Sequence, residues 1–225
     1  MKIFKRTLSL MLCLVMMITA IPFVSAADTS AEADEVTGFT DEDFLTTKGR
    51  VIVNQKGERV QLKGVNLGAW LVREDWLNPD HIPEGTQYDG EYIYDTLEER
   101  FGREKAQELL NMFYENWITE YDLDNIKAMG FNCVRVPFWY RNFYYDDKGT
   151  KILDENGEWD FSILDWVVEE CRERELYVIL DMHGAVGSQS DAPHSGRAFQ
   201  GAQLYEDSPR GEEYRRLTKE LWTAI

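Results

Sequence analysis

Three short and nearly uninterrupted apolar runs, centred near residues 65, 134 and 179, alternate along this chain with amphipathic helical patterns. Strands that are apolar on both faces are typical of a parallel sheet covered by helices, because both faces of such a sheet are buried. The alternation therefore predicts an α/β fold, in which the sheet is either doubly wound or closed into a barrel.

The length of the chain limits how much of a barrel it can form. A complete barrel of eight strands and eight helices takes about 250 residues. The stretch from Val51 to Ile225 suffices for about three βα units. We therefore expect a (β/α)8 TIM barrel truncated after about three βα units, with an N-terminal β-hairpin. A small open α/β domain is the alternative.

Local patterns place the elements. Two short apolar runs on either side of a turn containing Gly57 predict the hairpin. The first long strand ends near Leu67, and a loop-rich stretch is predicted from there to about Gly102. Apolar residues then recur at helical spacing. The predicted helices run through Ala106 to Trp117, from Thr119 to Gly130, through Leu164, Val167, Val168 and Cys171, and from about Glu212 through Leu217 and Trp222.

The first 26 residues have the three parts of a secretory signal. Lys2, Lys5 and Arg6 form a basic start, Leu8 to Ile21 form an apolar run, and Val24-Ser25-Ala26 offers small residues for cleavage. The apolar run is short for a membrane span. We therefore expect a secreted, extracellular protein that has no membrane anchor after cleavage.

Residues 27–47 are rich in acidic residues and contain no basic one, which predicts a disordered leader. The whole chain has 24 basic and 41 acidic residues and a net charge of −17, and loss of the signal removes three of the basic residues. Such an acidic protein is a poor partner for nucleic acid or for an anionic membrane. A neutral substrate is compatible with this charge.

The cysteines and histidines do not predict a metal site. Cys133 and Cys171 are the cysteines that follow the signal, and we expect both to be buried free thiols. The three histidines have neither HxH nor HExxH spacing. The chain also lacks the motifs of acyl transfer and of nucleotide binding, so we expect no cofactor.

Polar residues at the carboxyl ends of the strands are the candidates for chemistry, because parallel α/β folds place their sites there. Arg135 interrupts an apolar strand, and a guanidinium in that position is costly unless it meets a carboxylate. We expect that carboxylate at the mouth of the barrel; a structural ion pair with a helix acid is the alternative. Asp181 and His183 end the third strand, and His183 could bind a sugar hydroxyl or a catalytic carboxylate.

Aromatic residues also cluster near the strand ends. Trp70, Trp76, Trp139 and Tyr140 have flat rings that could stack on a pyranose and offer a polar edge. Most such residues are part of a core, so we expect one or two of the four to contact sugar.

Three motifs, in this order, resemble glycoside hydrolase family 5, the cellulase family. They are residues 64–72 (Gly-Val-Asn-Leu-Gly-Ala-Trp-Leu-Val), residues 130–137 (Gly-Phe-Asn-Cys-Val-Arg-Val-Pro), and residues 181–189 (Asp-Met-His-Gly-Ala-Val-Gly-Ser-Gln) with Ser195-Gly196. The strongest likeness is to the exo-β-1,3-glucanase-like branch. Residues 48–225 then correspond to the N-terminal part of a (β/α)8 catalytic domain.

The resemblance implies a retaining β-glycosidase, with an acid/base glutamate after the fourth strand and a nucleophile glutamate ending the seventh. Arg135 would support the nucleophile, and His183 would line the subsite of the cleaved sugar. Glu74, Tyr140, Trp70 and His194 would bind substrate. No catalytic residue is expected within the chain itself, since it contains no Asn-Glu-Pro.

The sequence departs from the pattern of that branch at several positions. Ala69 replaces a usual glycine, Trp139 stands where glycine is frequent, and Pro193 and His194 replace an Asp-Asn pair. Hydrolysis of β-1,4-glucan by a cellulase-type endo-glucanase therefore stays open beside β-1,3-glucan.

We expect a monomeric secreted β-glucan hydrolase, of which this chain alone is inactive. The first alternative is a non-catalytic secreted carbohydrate-binding α/β domain, which would leave the edges of its sheet open. The second is an α/β domain in which the same motifs are purely structural.

Overall fold

The computed structural model describes residues 38–74, 76–78 and 89–225. The predicted signal at 1–26 and the first part of the predicted leader, 27–37, lie outside the described residues. Within the described part of the chain, every helix is too short or too polar to cross a membrane.

A three-stranded antiparallel sheet opens the described part of the chain. Its strands are β1 (Thr46–Lys48), β2 (Val51–Val53) and β3 (Arg59–Val60). The turn between β2 and β3 is the one predicted from Gly57, whose φ of 81° lies in the left-handed region that favours glycine. Asn54 stabilises this turn, because its side-chain oxygen accepts a hydrogen bond from the Glu58 backbone at 2.9 Å. The predicted hairpin is thus part of a larger sheet.

Residues 38–47 differ from the disordered leader that their composition predicted. A 3-10 helix spans Asp41–Asp43, and Thr40 and Asp43 cap it reciprocally. The ring of Phe39 lies 4.4 Å from that of Tyr177. This order comes from caps and from the pairing of β1 with β2, which an acidic composition does not reveal.

The second sheet is parallel and carries the three predicted long strands. They are β4 (Gly64–Asn66), β5 (Cys133–Trp139) and β6 (Tyr177–Gly184), with β5 in the middle. In this register Asn66 lies beside Arg135, and Arg135 lies beside Ile179. The sheet confirms the predicted α/β class.

Helices connect the strands, as the apolar spacing predicted. They are α1 (Gly90–Phe101), α2 (Arg103–Trp117), α3 (Glu120–Ala128), α4 (Ser162–Glu173) and α5 (Pro209–Ala224). Helix α1 corrects the prediction of a loop up to Gly102. Asp89 caps α1 by accepting a hydrogen bond from the Tyr92 backbone at 2.8 Å. The buried residues of α1 are Gly90 and Tyr94, too few to give a clear helical pattern.

The helix-facing side of the parallel sheet belongs to the core. Val134, Val136 and Phe138 alternate along β5 and are fully buried, in one cluster with residues of α4 and α5. Two residues that the helical spacing predicted to be buried are not: Val168 is exposed, and Trp222 is half exposed although it stacks on Phe138. A helix at the surface of a domain buries only a narrow stripe, and both residues lie at the margin of that stripe.

Cys133 and Cys171 are buried free thiols, as predicted. Burial raises the pKa of the Cys171 thiol to about 12, and it also raises the pKa of Cys133. A thiol that stays protonated is a weak nucleophile, so both residues act as small core side chains.

Candidate functional site

The polar side chains of the parallel sheet lie on the face opposite the core. Successive strand residues point to opposite faces, so Arg135 alternates with the buried Val134 and Val136 along β5. On β6, Asp181 and His183 are two residues apart and share one face near the carboxyl end. The strand order brings these side chains together from positions far apart in the sequence.

Four side chains form what we call the strand-end cluster: Asn66, Arg135, Asp181 and His183. Arg135 Nη2 lies 2.5 Å from Asp181 Oδ2, and Arg135 Nη1 donates to Asn66 Oδ1 at 3.3 Å. His183 Nδ1 lies 2.9 Å from the same Asp181 oxygen and 3.1 Å from Arg135 Nη2. The guanidinium thus meets a carboxylate, as predicted. The partner comes from the adjacent strand and not from a helix.

The tautomer of His183 decides what it can offer a ligand. Arg135 can only donate, so His183 Nδ1 either accepts from Arg135 or donates to Asp181. In the first arrangement His183 Nε2 carries a proton and is a donor; in the second, neutral His183 has Nε2 free as an acceptor. Either way, the other ring nitrogen is available to a hydroxyl group.

The cluster borders an open cleft of about 380 Å³. Arg135 and His183 lie in its wall, and their side chains are 34% and 28% exposed. The other lining residues are Asn66, Gly68, Ala69, Glu74, Leu77, Trp117 and Pro137. The cleft therefore combines charged and amide groups with one large aromatic ring, as sites for small polar ligands commonly do.

Volume alone does not single out this cleft. A groove of about 370 Å³ lies between α2 and α4, where Ile118, Ile163 and Trp166 line it. The residues that line that groove belong to α2, α3 and α4 or flank them, and they include neither an arginine nor a histidine. Chemistry decides between them, because the cleft contains the guanidinium and the imidazole at the edge where parallel sheets place their sites.

Two residues predicted to bind substrate are core residues in the structure. Trp70 has 0% of its surface exposed, and its indole N–H donates to the Tyr114 carbonyl at 2.8 Å. Tyr140 is 1% exposed. Neither ring offers a face to a sugar, because the loops after β4 and β5 fold back into the core. These assignments are corrected on that ground, and we assign neither residue to the site.

Trp117 is the aromatic ring of the cleft that the sequence did not reveal. Its indole N–H donates to the Gly68 carbonyl at 3.2 Å, and its ring stacks on Phe113 with centroids 5.2 Å apart. The residue ends α2, and its helical spacing predicted a core position. Only the packing of α2 against the loop after β4 shows that it lines the cleft.

Glu74 and His194, which the resemblance predicts to bind substrate, lie at or near the cleft. Glu74 lines it, and the Asn78 side chain accepts a hydrogen bond from the Glu74 backbone at 2.9 Å. His194 lies in a 3-10 helix, Pro193–Ser195, and its ring centroid is 5.7 Å from that of His183. The loop after β6 therefore brings a second imidazole to the strand-end cluster.

Hydrogen bonds hold the start of that loop. Gln189 donates to the His183 carbonyl at 2.5 Å and accepts from the Ala185 backbone at 3.0 Å. The hydroxyl groups of Ser188 and Ser195 lie 2.7 Å apart in the interior. These contacts fix the backbone on both sides of the residues that carry the imidazoles.

Ala69 shows what the departure from glycine costs. Its φ of 57° lies in the left-handed region, and it lines the cleft. An alanine in this conformation is strained by about 1 kcal/mol. The left-handed φ at this position gives a physical reason for the glycine that is usual there in the family pattern.

Among the described residues, no group of three or more histidine, cysteine, aspartate or glutamate side chains could hold a metal ion.

Comparison with known proteins identifies the family. Residues 99–225, more than half of the chain, match the family described as Cellulase (glycosyl hydrolase family 5). The chain belongs to glycoside hydrolase family 5. The motifs around Arg135 and His183 lie within the matched residues.

Curated relatives agree with this family. The chain is 33% identical over 165 residues to a beta-xylosidase of Phanerodontia chrysosporium, covering 72% of this chain and 32% of the relative. It is 34% identical over 140 residues to a glucan 1,3-beta-glucosidase of Blumeria graminis, covering 61% and 31%. The chain thus spans about a third of the length of these relatives, and the predicted likeness to the exo-β-1,3-glucanase-like branch is confirmed.

A solved structure supports the fold. The crystal structure of rutinosidase from Aspergillus niger matches with a TM-score of 0.51 and 20% identity, covering 72% of this chain and 44% of that one. At this identity the match concerns the fold alone. Together with the family, it assigns the parallel sheet to the TIM-barrel fold.

Proposed function

We propose that the protein is a secreted retaining hydrolase of β-glucan. The cleft beside the strand-end cluster is proposed to bind the glucose residue whose glycosidic bond is cleaved. The observation that carries this proposal is the contact of Arg135 with Asp181 and His183 at the wall of an open cleft. Relatives named glucan 1,3-beta-glucosidase support the substrate class.

Arg135 is proposed to orient the nucleophile. Its guanidinium has five N–H groups, of which the structure engages those facing Asn66, Asp181 and His183. The side chain is part-exposed in the cleft wall, so a further carboxylate could reach it. A positive charge at this place would keep a nucleophilic carboxylate ionised, as attack on the anomeric carbon requires.

The catalytic glutamates are proposed to lie outside this chain. Of the residues that line the cleft in the described part, Glu74 carries a carboxylate. Asp181 is bound to Arg135 and His183 and is therefore committed to holding the cluster. Retention needs two carboxyl groups about 5 Å apart, one as nucleophile and one as acid then base. The parts of such enzymes that correspond to later barrel strands would supply them.

Glu74, His183 and His194 are proposed to bind sugar hydroxyls. The Glu74 carboxylate can accept hydrogen bonds from a polyol, and each imidazole can donate through one ring nitrogen or accept through the other. Trp117 adds an aromatic surface that suits the apolar face of a pyranose.

Hydrolysis by the complete gene product tests the proposal. We expect release of sugar from laminarin, and proton NMR of the first product should show the β-anomer before mutarotation. The 225-residue chain expressed by itself should release no reducing sugar from laminarin or carboxymethylcellulose. An α-anomer as first product would overturn retention. Hydrolysis by the 225-residue chain would overturn the assignment of the glutamates.

The second candidate function is that of a non-catalytic carbohydrate-binding domain. It is favoured by the contacts of Asp181 with Arg135 and His183, because they leave the described cleft without a pair of free carboxyl groups. Laminarin binding by the complete gene product without any hydrolysis would support this candidate and exclude the enzyme.

A further inference from the structure

One aromatic residue in the loop after β6 combines an unfavourable backbone conformation with an exposed side chain. Phe199 has φ of 61°, in the left-handed region, and 66% of its surface is exposed. A bulky residue in this region is strained by about 1–2 kcal/mol. An exposed phenylalanine also forgoes most of the free energy that burial would bring.

The backbone on both sides of Phe199 is firmly held. The backbone N–H of the buried Ala198 donates to Asp89 at 2.8 Å, and Asp89 is itself buried at the start of α1. On the other side, the Gly201 backbone donates to Asp191 at 2.9 Å. These bonds hold the backbone on both sides of Phe199, so its φ cannot relax without disturbing one of them.

Side chains next to Phe199 are anchored as well. Arg197 lies 3.1 Å from Glu91, and Gln200 donates to the same Glu91 oxygen at 2.8 Å. Burial raises the pKa of Glu91, and the charge of Arg197 opposes that rise. The loop is therefore clamped to α1 through both neighbours of the Ala198–Phe199 pair.

The position of the loop indicates what the ring could bind. It leaves the carboxyl end of β6, and within it His194 lies 5.7 Å from His183 in ring centroids. The loop that carries Phe199 therefore begins at the edge of the sheet where the cleft lies. A single ring flanked by polar residues is too small an apolar patch for a stable protein interface, which needs about 1,000 Å². It matches one face of a pyranose, whose hydroxyl groups the polar neighbours could bind.

We propose that Phe199 is a stacking platform for a β-glucan residue outside the cleft, held in place by Asp89 and Glu91. This inference rests on the proposed function. It predicts that the platform acts on long substrates, because a sugar residue stacked on Phe199 would be additional to those held in the cleft.

The test compares the wild type and variants of the complete gene product. The measured quantity is kcat/KM on a short substrate, laminaribiose, and on a long one, laminarihexaose. Phe199→Gly removes the ring and, since glycine accepts this φ, also removes the strain, so the variant should fold with an equal or higher melting temperature. We expect the loss on laminarihexaose to exceed the loss on laminaribiose by about tenfold. Phe199→Trp, which retains a flat ring, should restore the preference for the longer substrate.

The matched control is Phe44→Ala. Phe44 is 74% exposed, and it lines a pocket together with Tyr177, which begins β6 at the end opposite the cleft. Its removal should leave the ratio between the two substrates unchanged. If Phe199→Gly lowers kcat/KM equally on both substrates, or on neither, the proposed platform is wrong, and the proposed hydrolase function is unaffected. A wild-type protein inactive on every β-glucan would overturn both the platform and the proposed function.

Discussion

Replacing Arg135 by alanine is expected to lower kcat/KM of the complete gene product on laminarin by about 100-fold or more, the loss typical when one preorganised charge-stabilising group is removed from an active site. The variant loses the donor to Asn66 and leaves Asp181 with His183 alone. It also loses the positive charge that would hold the nucleophile ionised. Steady-state kinetics on laminarin measures the effect.

Two further variants make this result specific. Arg135→Lys keeps the charge but not the planar fork, so we expect an intermediate loss. Arg216→Ala removes an exposed arginine of α5 that pairs with Glu213 and Glu220, and it should leave kcat/KM unchanged. An Arg135→Ala enzyme as active as the wild type would show that the strand-end cluster is purely structural.

Replacing Trp70 by alanine is expected to destabilise the protein by about 3–5 kcal/mol, because a fully buried indole leaves a large cavity. The Tyr114 carbonyl also loses its hydrogen bond from the indole N–H. Trp70→Phe keeps most of the packing and should cost about 1 kcal/mol for the lost bond. Urea denaturation of the three proteins measures the differences.

Trp76→Ala is the control for this prediction. Trp76 is 60% exposed, and its loss should change the free energy of unfolding by less than about 0.5 kcal/mol. Affinity for glucan should be the same in Trp70→Phe as in the wild type. A Trp70→Ala protein of normal stability that no longer binds glucan would instead place this ring in contact with sugar.

The charged residues of the site could be predicted from the sequence, because a charged side chain within an apolar strand needs a partner of opposite charge. Arg135 interrupts β5 and needs a carboxylate partner, which the sequence placed at the strand ends or, as the alternative, on a helix. Parallel strands bring their carboxyl ends to one edge, so the closeness of Arg135 and His183 followed from their places on β5 and β6. Asp181 was on the same strand end, but which acid would meet Arg135 depended on the register of β5 with β6.

The aromatic half could not be predicted in the same way. A tryptophan after a strand end has no pattern that tells a core ring from one in a cleft, since loops have no fixed period. Trp70 turns into the core, whereas Trp117, whose helical spacing suggested the core, lines the cleft. The path of the loops decides this, and that path depends on tertiary contacts such as the Trp70–Tyr114 hydrogen bond.

Elements without an apolar stripe were missed for a related reason. Helix α1 is fixed by the cap at Asp89 and by contacts of its first turn with the loop after β6, where the Glu91 backbone donates to the Gly196 carbonyl at 2.9 Å. The 3-10 helix at Asp41–Asp43 is likewise held by a capping box. Such elements depend on a few hydrogen bonds, which leave little trace in the spacing of apolar residues.

A crystal structure of the complete gene product with bound laminaritriose tests the role of the strand-end cluster most directly. We predict a pyranose in the cleft, with a hydroxyl oxygen about 3 Å from a ring nitrogen of His183 and a glutamate carboxylate in contact with Arg135. A trisaccharide bound elsewhere, for example in the groove beside Trp166, with the cleft free of sugar, would contradict this account.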